Sequence, residues 1–281
     1  MLTTTQLDDI RRLRRLCEQT DGLFLKLNED LLRSDTRSDN FDYFRYDADG
    51  ALIGFLALYG FGDQFEVCGM VHPDCRRQGL FAQLWNEALA SGALDTAESI
   101  LLNAPKASDS AAAWLRTLHC RYSFSEYEMK WQDDVPGSLD EAPGTPVSYR
   151  PFQPEDFPTV ARLYADGFEM KESEVSSMID EERPNASRTR SMIVRRGETV
   201  GTLVLDYDIP GESSIFGLVV DDAYRGQGIG RSILRQVIRS ERERGQQILI
   251  GVETENEHAL RLYESCGFRA YTVQDYYELK R

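Results

Sequence analysis

The sequence predicts an α/β protein of two tandem domains, each a mixed, mostly antiparallel sheet flanked by helices. Three observations on its 281 residues carry that expectation. First, six of the ten prolines fall between Pro136 and Pro158, and residues 135–146 show neither strand nor helix periodicity, which marks a linker between halves 1–134 and 147–281. Second, the halves repeat one another when the chain is slid by 149 positions. Val71-His72-Pro73-Asp74-Cys75-Arg76-Arg77-Gln78-Gly79-Leu80 then overlies Val220-Asp221-Asp222-Ala223-Tyr224-Arg225-Gly226-Gln227-Gly228-Ile229. Leu84, Trp85, Ala88 and Leu89 overlie Ile233, Leu234, Val237 and Ile238, at the three- and four-residue spacing of a buried helix face. Near the ends, Tyr127-Glu128-Met129-Lys130 overlies Tyr277-Glu278-Leu279-Lys280 at a shift of 150. Third, strand-like and helix-like segments alternate in the second half, the pattern of an α/β sandwich.

Taken in order, Ser148–Arg150 reads as a short strand, and Asp156–Phe168 as a helix with Val160, Leu163 and Phe168 apolar. A second helix covers Glu172–Glu181. Strands follow at Arg190–Arg195, Val200–Ile209 and Ser214–Val220, joined by the turn sequences Arg196-Gly197-Glu198 and Pro210-Gly211. A long helix runs from Gly228 to Arg244, then come an apolar strand at Gln247–Val252, an amphipathic helix at Glu257–Cys266 and a closing strand at Tyr276–Leu279. The order is β-α-α-β-β-β-α-β-α-β. In the first half, Met1–Thr5 leave little room for the corresponding first strand.

Composition narrows the function class. Lys plus Arg number 32 against 47 Asp plus Glu, a net charge of −15 that opposes nucleic acid and anionic membrane surfaces. The same charge would draw amines, but serves equally to keep a protein soluble. No apolar run approaches the roughly 20 residues that span a bilayer, and the N-terminus has no apolar signal core. Five scattered cysteines without a Cys-x-x-Cys pair point to a reducing cytoplasm, and His72, His119 and His258 show no metal-ligand spacing. No metal cofactor is expected.

Chemistry concentrates between the strand ending at Val220 and the helix that follows. Arg225-Gly226-Gln227-Gly228-Ile229-Gly230-Arg231 places three glycines at alternate positions at a helix start. Without Cβ atoms, several backbone N–H groups can converge on one anion, where the helix dipole adds positive potential. The loop is neither a Walker loop nor a dinucleotide fingerprint. It is either a phosphate cradle or a turn that packs strand and helix tightly.

This segment resembles the pyrophosphate-binding signature Arg/Gln-x-x-Gly-x-Gly/Ala of the Gcn5-related N-acetyltransferases, filled here by Arg225, Gly228 and Gly230. Val252 to Phe268 resembles the family's second signature through Asn256, Ala259, Leu262-Tyr263 and Gly267-Phe268. The resemblance covers most of residues 147–281, and the whole chain is similar to tandem members of the family. It implies acetyl-coenzyme A as co-substrate, lying in a V-shaped gap between two splayed parallel strands. Leu218, Val219 and Val220 would lend backbone groups to the pantetheine arm, and a strand amide would polarise the thioester carbonyl. Asn256 would contact the cofactor arm. Tyr263 matches the tyrosine that protonates the leaving thiolate, or else is an aromatic on the core face of its helix.

The general base does not carry over. Branches of the family place a glutamate where this chain has Ser214 or Gly251; Glu253, near the cleft by sequence, either acts through a water or is one more solvated charge. In the first half Phe81 stands where Gly230 stands and is expected to crowd the pyrophosphate. Thr117 takes the tyrosine position when Cys120 is laid over Cys266. The first half thus reads as a degraded copy retained for packing or for shaping the other domain's cleft; a second working site is the other reading. The expected activity is direct acetyl transfer to a small-molecule or peptide amine in the second half; a non-catalytic acyl-coenzyme A sensor is the other reading. The acceptor has no signature in Glu169–Glu174 or Pro210–Ser213, which would line its site.

Overall fold

The computed structural model describes residues 2–34, 37–133, 147–168, 170–182 and 187–280, so the expected linker at 135–146 lies outside the described residues. Two compact units divide the chain, and the division does not follow the halves: unit 1 comprises Met1–Glu126 with Thr272–Arg281, and unit 2 comprises Tyr127–Tyr271.

Among the described residues, unit 1 opens on helix α1 (Thr4–Asp21). Thr3 and Gln6 cap it reciprocally, and Gly22, at φ 65°, ends it. Then come α2 (Glu29–Arg33), β1 (Asp42–Tyr46), β2 (Leu52–Phe61), β3 (Gln64–Val71), α3 (Leu80–Ala90), β4 (Ser99–Pro105), α4 (Asp109–Leu115) and β5 (Cys120–Trp131). The strand order in this unit is β1-β2-β3-β4-β11-β5, where β11 (Phe268–Leu279) contributes its later residues, Gln274 to Glu278 pairing antiparallel with Pro105 to Leu101. Helix α1 buries Ile10, Leu13 and Cys17 with Phe55, Ala57, Tyr59 and Cys68. Leu84, Trp85 and Leu115 of α3 and α4 join Leu56, Leu58, Val67, Ile100 and Leu102 in a separate cluster, as alternation along the strands requires.

Unit 2 contains β6 (Val147–Pro151), α5 (Phe157–Phe168), α6 (Glu172–Glu182), β7 (Arg188–Arg195), β8 (Glu198–Asp206), β9 (Glu212–Val220), α7 (Ile229–Glu243), β10 (Gln247–Glu253) and α8 (Glu257–Ser265). Its strands run β10-β9-β8-β7-β6, with the last residues of β5 beyond β10. The order of elements follows the sequence pattern. Most boundaries shift by a residue or two, and the two largest differences are that β8 stops at Asp206, not Ile209, and that the closing strand β11 starts at Phe268, not Tyr276. Arg196 and Gly197, both at positive φ, make the two-residue turn of the β7–β8 hairpin. Met192 and Val219 pack with Val160, Leu163 and Tyr164 of α5 and with Val175 and Ile179 of α6, whereas α7 and α8 join the larger core of Ile215, Ile248, Ile250 and Phe268.

Each unit holds a parallel pair of strands that comes apart. In unit 1 the pairing of β3 with β4 ends at Val67–Leu102; in unit 2 that of β9 with β10 ends at Ile215–Ile250. The strands differ in one respect. Thr202 faces Val219 and Val204 faces Phe216, so Gly217 and Leu218 stand opposite Leu203 alone: β9 carries a bulge. β2 and β3 pair without any shift from Gly54–Val71 to Phe61–Gln64. The one extra residue explains why the loops repeat at 149 whereas the strands repeat at 148.

Candidate active site

The glycine loop of unit 2 is built by local hydrogen bonds. Asp221 accepts from the Ala223 amide at 3.0 Å and from Arg162 at 2.7 Å, which together hold its carboxyl below the ordinary range. Arg225 Nε donates to the Val220 carbonyl at 3.1 Å, and Gln227 donates to the Ala223 carbonyl at 3.2 Å while accepting from Arg195. Gly226 and Gly228 sit at φ 74° and 78°, and a Cβ on either would meet open space. Gly228 caps α7 without any side-chain hydrogen bond, so the first-turn amides of Ile229, Gly230 and Arg231 face outward at the positive end of a 15-residue helix. These residues fit a pyrophosphate. Gly230 has a separate reason to be glycine, because its Cβ would lie 3.2 Å from Leu262 of α8.

The strand leading into the loop is braced at its bulge. Gly217 adopts φ 53°, and a Cβ there would lie 2.0 Å from the Tyr164 hydroxyl. That hydroxyl donates to the Gly217 carbonyl at 3.3 Å and accepts from the buried Arg190 at 2.8 Å, whose guanidinium also stacks over the Tyr164 ring at 5.0 Å. The bulge takes Gly217 and Leu218 out of the regular ladder beside the gap left by β10, and Val219 and Val220 pair again with Thr202 and Gly201. Val219 is buried against α5, and Leu218 and Val220 are half-buried.

The remaining sequence-derived residues divide. Tyr263 lies on α8, 7 % exposed, and burial pushes its hydroxyl up to about 12. It joins the core cluster of Ile229, Ile233 and Val252, so the core-face reading of its position is satisfied by the packing. Asn256 caps α8, its Oδ1 accepting from the Ala259 amide at 3.1 Å. Glu253 ends β10 on the exposed surface. Gly251 and Ser214 are half-buried and carry no carboxylate.

Unit 1 repeats the loop closely. Arg77 and Gly79 take φ 62° and 80°, Arg76 Nε donates to the Val71 carbonyl at 3.1 Å, and Gln78 donates to the Asp74 carbonyl at 3.2 Å. A Cβ on Gly79 would meet open space, so Phe81 does not fill the cradle as its sequence position suggested. Its ring packs edge-on against Trp114 of α4 at 4.6 Å and covers Gly69, whose Cβ would lie 2.7 Å from it. Any obstruction is therefore at the strand. Arg76 differs from Arg225 in being held by Asp21 of α1 at 2.7 Å, whereas Arg225 pairs with Asp222 of its own loop at 2.7 Å. Thr117 lies in the turn after α4; counting from the helix caps Ser108 and Asn256 puts the buried Leu115 at the place of Tyr263. A cleft of about 340 Å³ opens in this unit, lined by Val67, Gly69, Met70, Arg76, Phe81 and Asn103 among others. Sliding by 149 also hid a residue: at the strand shift of 148, Glu66 stands at the place of Ser214.

Comparison with known proteins places this geometry. Residues 155–268 match the model of the acetyltransferase (GNAT) family. Over 60 residues the chain is 42 % identical to the N-alpha-acetyltransferase RimI of Mycobacterium tuberculosis, a match covering 21 % of this chain and 37 % of that protein, well under half its length. Over 98 % of this chain and 96 % of the relative it is 25 % identical to a mycothiol acetyltransferase of Amycolatopsis mediterranei. Its fold is similar to a solved tandem GNAT protein from the clavulanic acid biosynthesis pathway, at a TM-score of 0.72 and 16 % identity over 98 % of this chain and 94 % of that one. Residues 155–268 of unit 2 thus match the acetyltransferase (GNAT) family, and the fold of nearly the whole chain is similar to that of a tandem GNAT protein.

Proposed function

We propose that this protein moves an acetyl group from acetyl-coenzyme A directly to a primary amine, at a site in unit 2. The observation that carries the reading is the bulged β9 running into the open glycine loop, beside the point where β10 parts from it. A thioester donor would set its pyrophosphate on the first-turn amides of Ile229, Gly230 and Arg231, with Arg225 and Gln227 shaping the loop around it. Its arm would follow Leu218, Val219 and Val220, where a strand amide freed by the bulge can stabilise negative charge developing on the carbonyl oxygen. Tyr263 holds its proton throughout the neutral range and can give a hydrogen bond to the departing thiolate. Asn256 positions the start of α8 at the mouth of the gap.

An ammonium of ordinary pKa, about 10, must lose a proton before it attacks. Glu253 is the proposed acceptor, through a water, because neither Ser214 nor Gly251 offers a carboxylate. Similarity to an N-alpha-acetyltransferase and to a mycothiol acetyltransferase supports an amine acceptor without choosing a peptide or a small molecule. The exposed position of Glu253 favours one second reading, a module that binds the thioester without turnover.

Calorimetry with acetyl-coenzyme A, followed by a thiol-release assay over a panel of amines, tests both. Binding with thiol release is expected. Binding without release across the panel selects the sensor, and absence of both heat and thermal shift removes either reading.

A further inference from the structure

We propose that the β7–β8 hairpin sets how tightly unit 2 holds its donor, with Glu198, Tyr224 and Arg195 as positioning residues that keep the glycine loop in its anion-binding conformation. The inference rests on the reading of unit 2 as an acyl-coenzyme A site.

The loop has little of its own to hold it. From Asp222 to Gly228 only Tyr224 is half-buried, and every other residue is exposed. Fixing a backbone costs roughly 1–2 kcal/mol per residue, with glycine at the upper end. A pyrophosphate that had to order this loop on arrival would lose affinity by that cost, so any contact that orders the loop beforehand strengthens binding.

The hairpin supplies two such contacts. Its strands pair from Arg188–Asp206 to Arg195–Glu198, so the last residue of β7 and the first of β8 stand side by side at the turn, on a support that the sheet fixes. The Tyr224 hydroxyl donates to the Glu198 carboxylate at 2.7 Å, and its ring packs against the core that holds Ile229 and Ile233. The Arg195 guanidinium lies over the same ring at 6.0 Å and donates to Gln227, which in turn donates to the Ala223 carbonyl at 3.2 Å. Tyr224 and Gln227 flank Arg225 and Gly226, so the hairpin grips the loop on both sides of its first glycine.

Unit 1 holds its loop by another route. Cys75 stands at the place of Tyr224. The turn between β1 and β2 closes on itself, the Asp47 carboxylate accepting from the Asp49 and Ala51 amides at 2.9 Å each, and Arg45 before it turns to Glu87 of α3. The hold on that loop comes from Asp21 of α1 through Arg76. The hairpin grip thus accompanies the bulged strand, in the unit read as the donor site.

The test is calorimetry with acetyl-coenzyme A on the full-length wild type, Tyr224→Phe, Glu198→Ala and the double variant, with kcat measured at saturating donor. Tyr224→Phe keeps the ring and removes one hydroxyl, and should weaken binding about three- to tenfold while kcat stays as in the wild type. Glu198→Ala separates positioning from charge by its sign. Loss of a carboxylate near a pyrophosphate site by itself tightens the binding of a polyanion, whereas loss of the grip weakens it, again about three- to tenfold. Both substitutions break the same contact, so the double variant should bind about as well as the weaker single one. Unchanged affinity in Tyr224→Phe, Glu198→Ala binding as tightly as the wild type or more tightly, single effects that add in full, or a fall in kcat at unchanged affinity would each overturn the inference alone. Wild type that gives neither heat nor thermal shift, or binding that survives Gly228→Trp, would remove the donor reading of unit 2 and this inference with it.

Discussion

Tyr263 and Gly217 show how much of the proposed chemistry hangs on single residues. A hydroxyl at about 12 is protonated at every physiological pH, so its contribution is a hydrogen bond made as charge develops on sulfur. Tyr263→Phe should lower kcat by about ten- to a hundredfold and leave KM nearly unchanged. Its stability effect has a definite sign: the folded value lies above the unfolded value of about 10, so any advantage of tyrosine over phenylalanine is complete below pH 10 and is lost as pH rises through about 12. Denaturant midpoints at pH 8 and pH 11 check this. Gly217→Ala forces a positive φ on alanine and drives its Cβ into the Tyr164 hydroxyl at 2.0 Å. It should cost about 1–3 kcal/mol of stability and lower kcat/KM, since the bulge cannot keep its brace. An unchanged kcat/KM in a folded Gly217→Ala protein would remove the bulge from the mechanism.

At the scale of elements, the loops separate conformation from function. Arg77 occupies the same left-handed conformation as Gly226, so one backbone path is adopted with and without glycine at that point. Gly228→Trp should abolish acetyl-coenzyme A binding by filling the open space over the α7 amides, and Gly79→Trp should leave affinity nearly unchanged. The reasons for the second expectation are the Phe81 ring lying over Gly69 and the Asp21 carboxylate holding Arg76, which together leave strand and loop of unit 1 unprepared for the same donor. Calorimetric stoichiometry decides: two equivalents per chain, falling to one in Gly79→Trp, would show that both loops bind. The sequence identified the changed residue, Phe81, but not its direction, because a side chain at the first turn of a helix can face either the cap or the strand, and the bulk of Trp114 settles which.

For the whole molecule, the last strand matters most. Residues 272–279 belong to unit 1, where Gln274, Asp275 and Tyr276 are buried and pair beside β4. A chain ending at Tyr271 should therefore lose amide-exchange protection in β1–β4, while β6–β10 and α7 keep theirs. Hydrogen exchange followed by mass spectrometry measures this, and loss confined to unit 2 would contradict the division.

Element order in unit 2, the repeated loop and the paired signatures around Arg225 and Asn256 were legible in the sequence, because each rests on local rules: periodicity, turn residues and helix caps. What lay beyond it were relations between strands. The bulge at Gly217 is a mismatch of register against β8, invisible in β9 alone. Glu66 was masked by the same extra residue, which shifts the strand repeat from 149 to 148. The membership of residues 272–281 in unit 1 depends on which distant strand they pair with, β4, and alternation along a strand specifies faces but not neighbours. Local chemistry was thus written in the chain order, and the tertiary structure alone decided which backbone groups and buried carboxylates that order brings together.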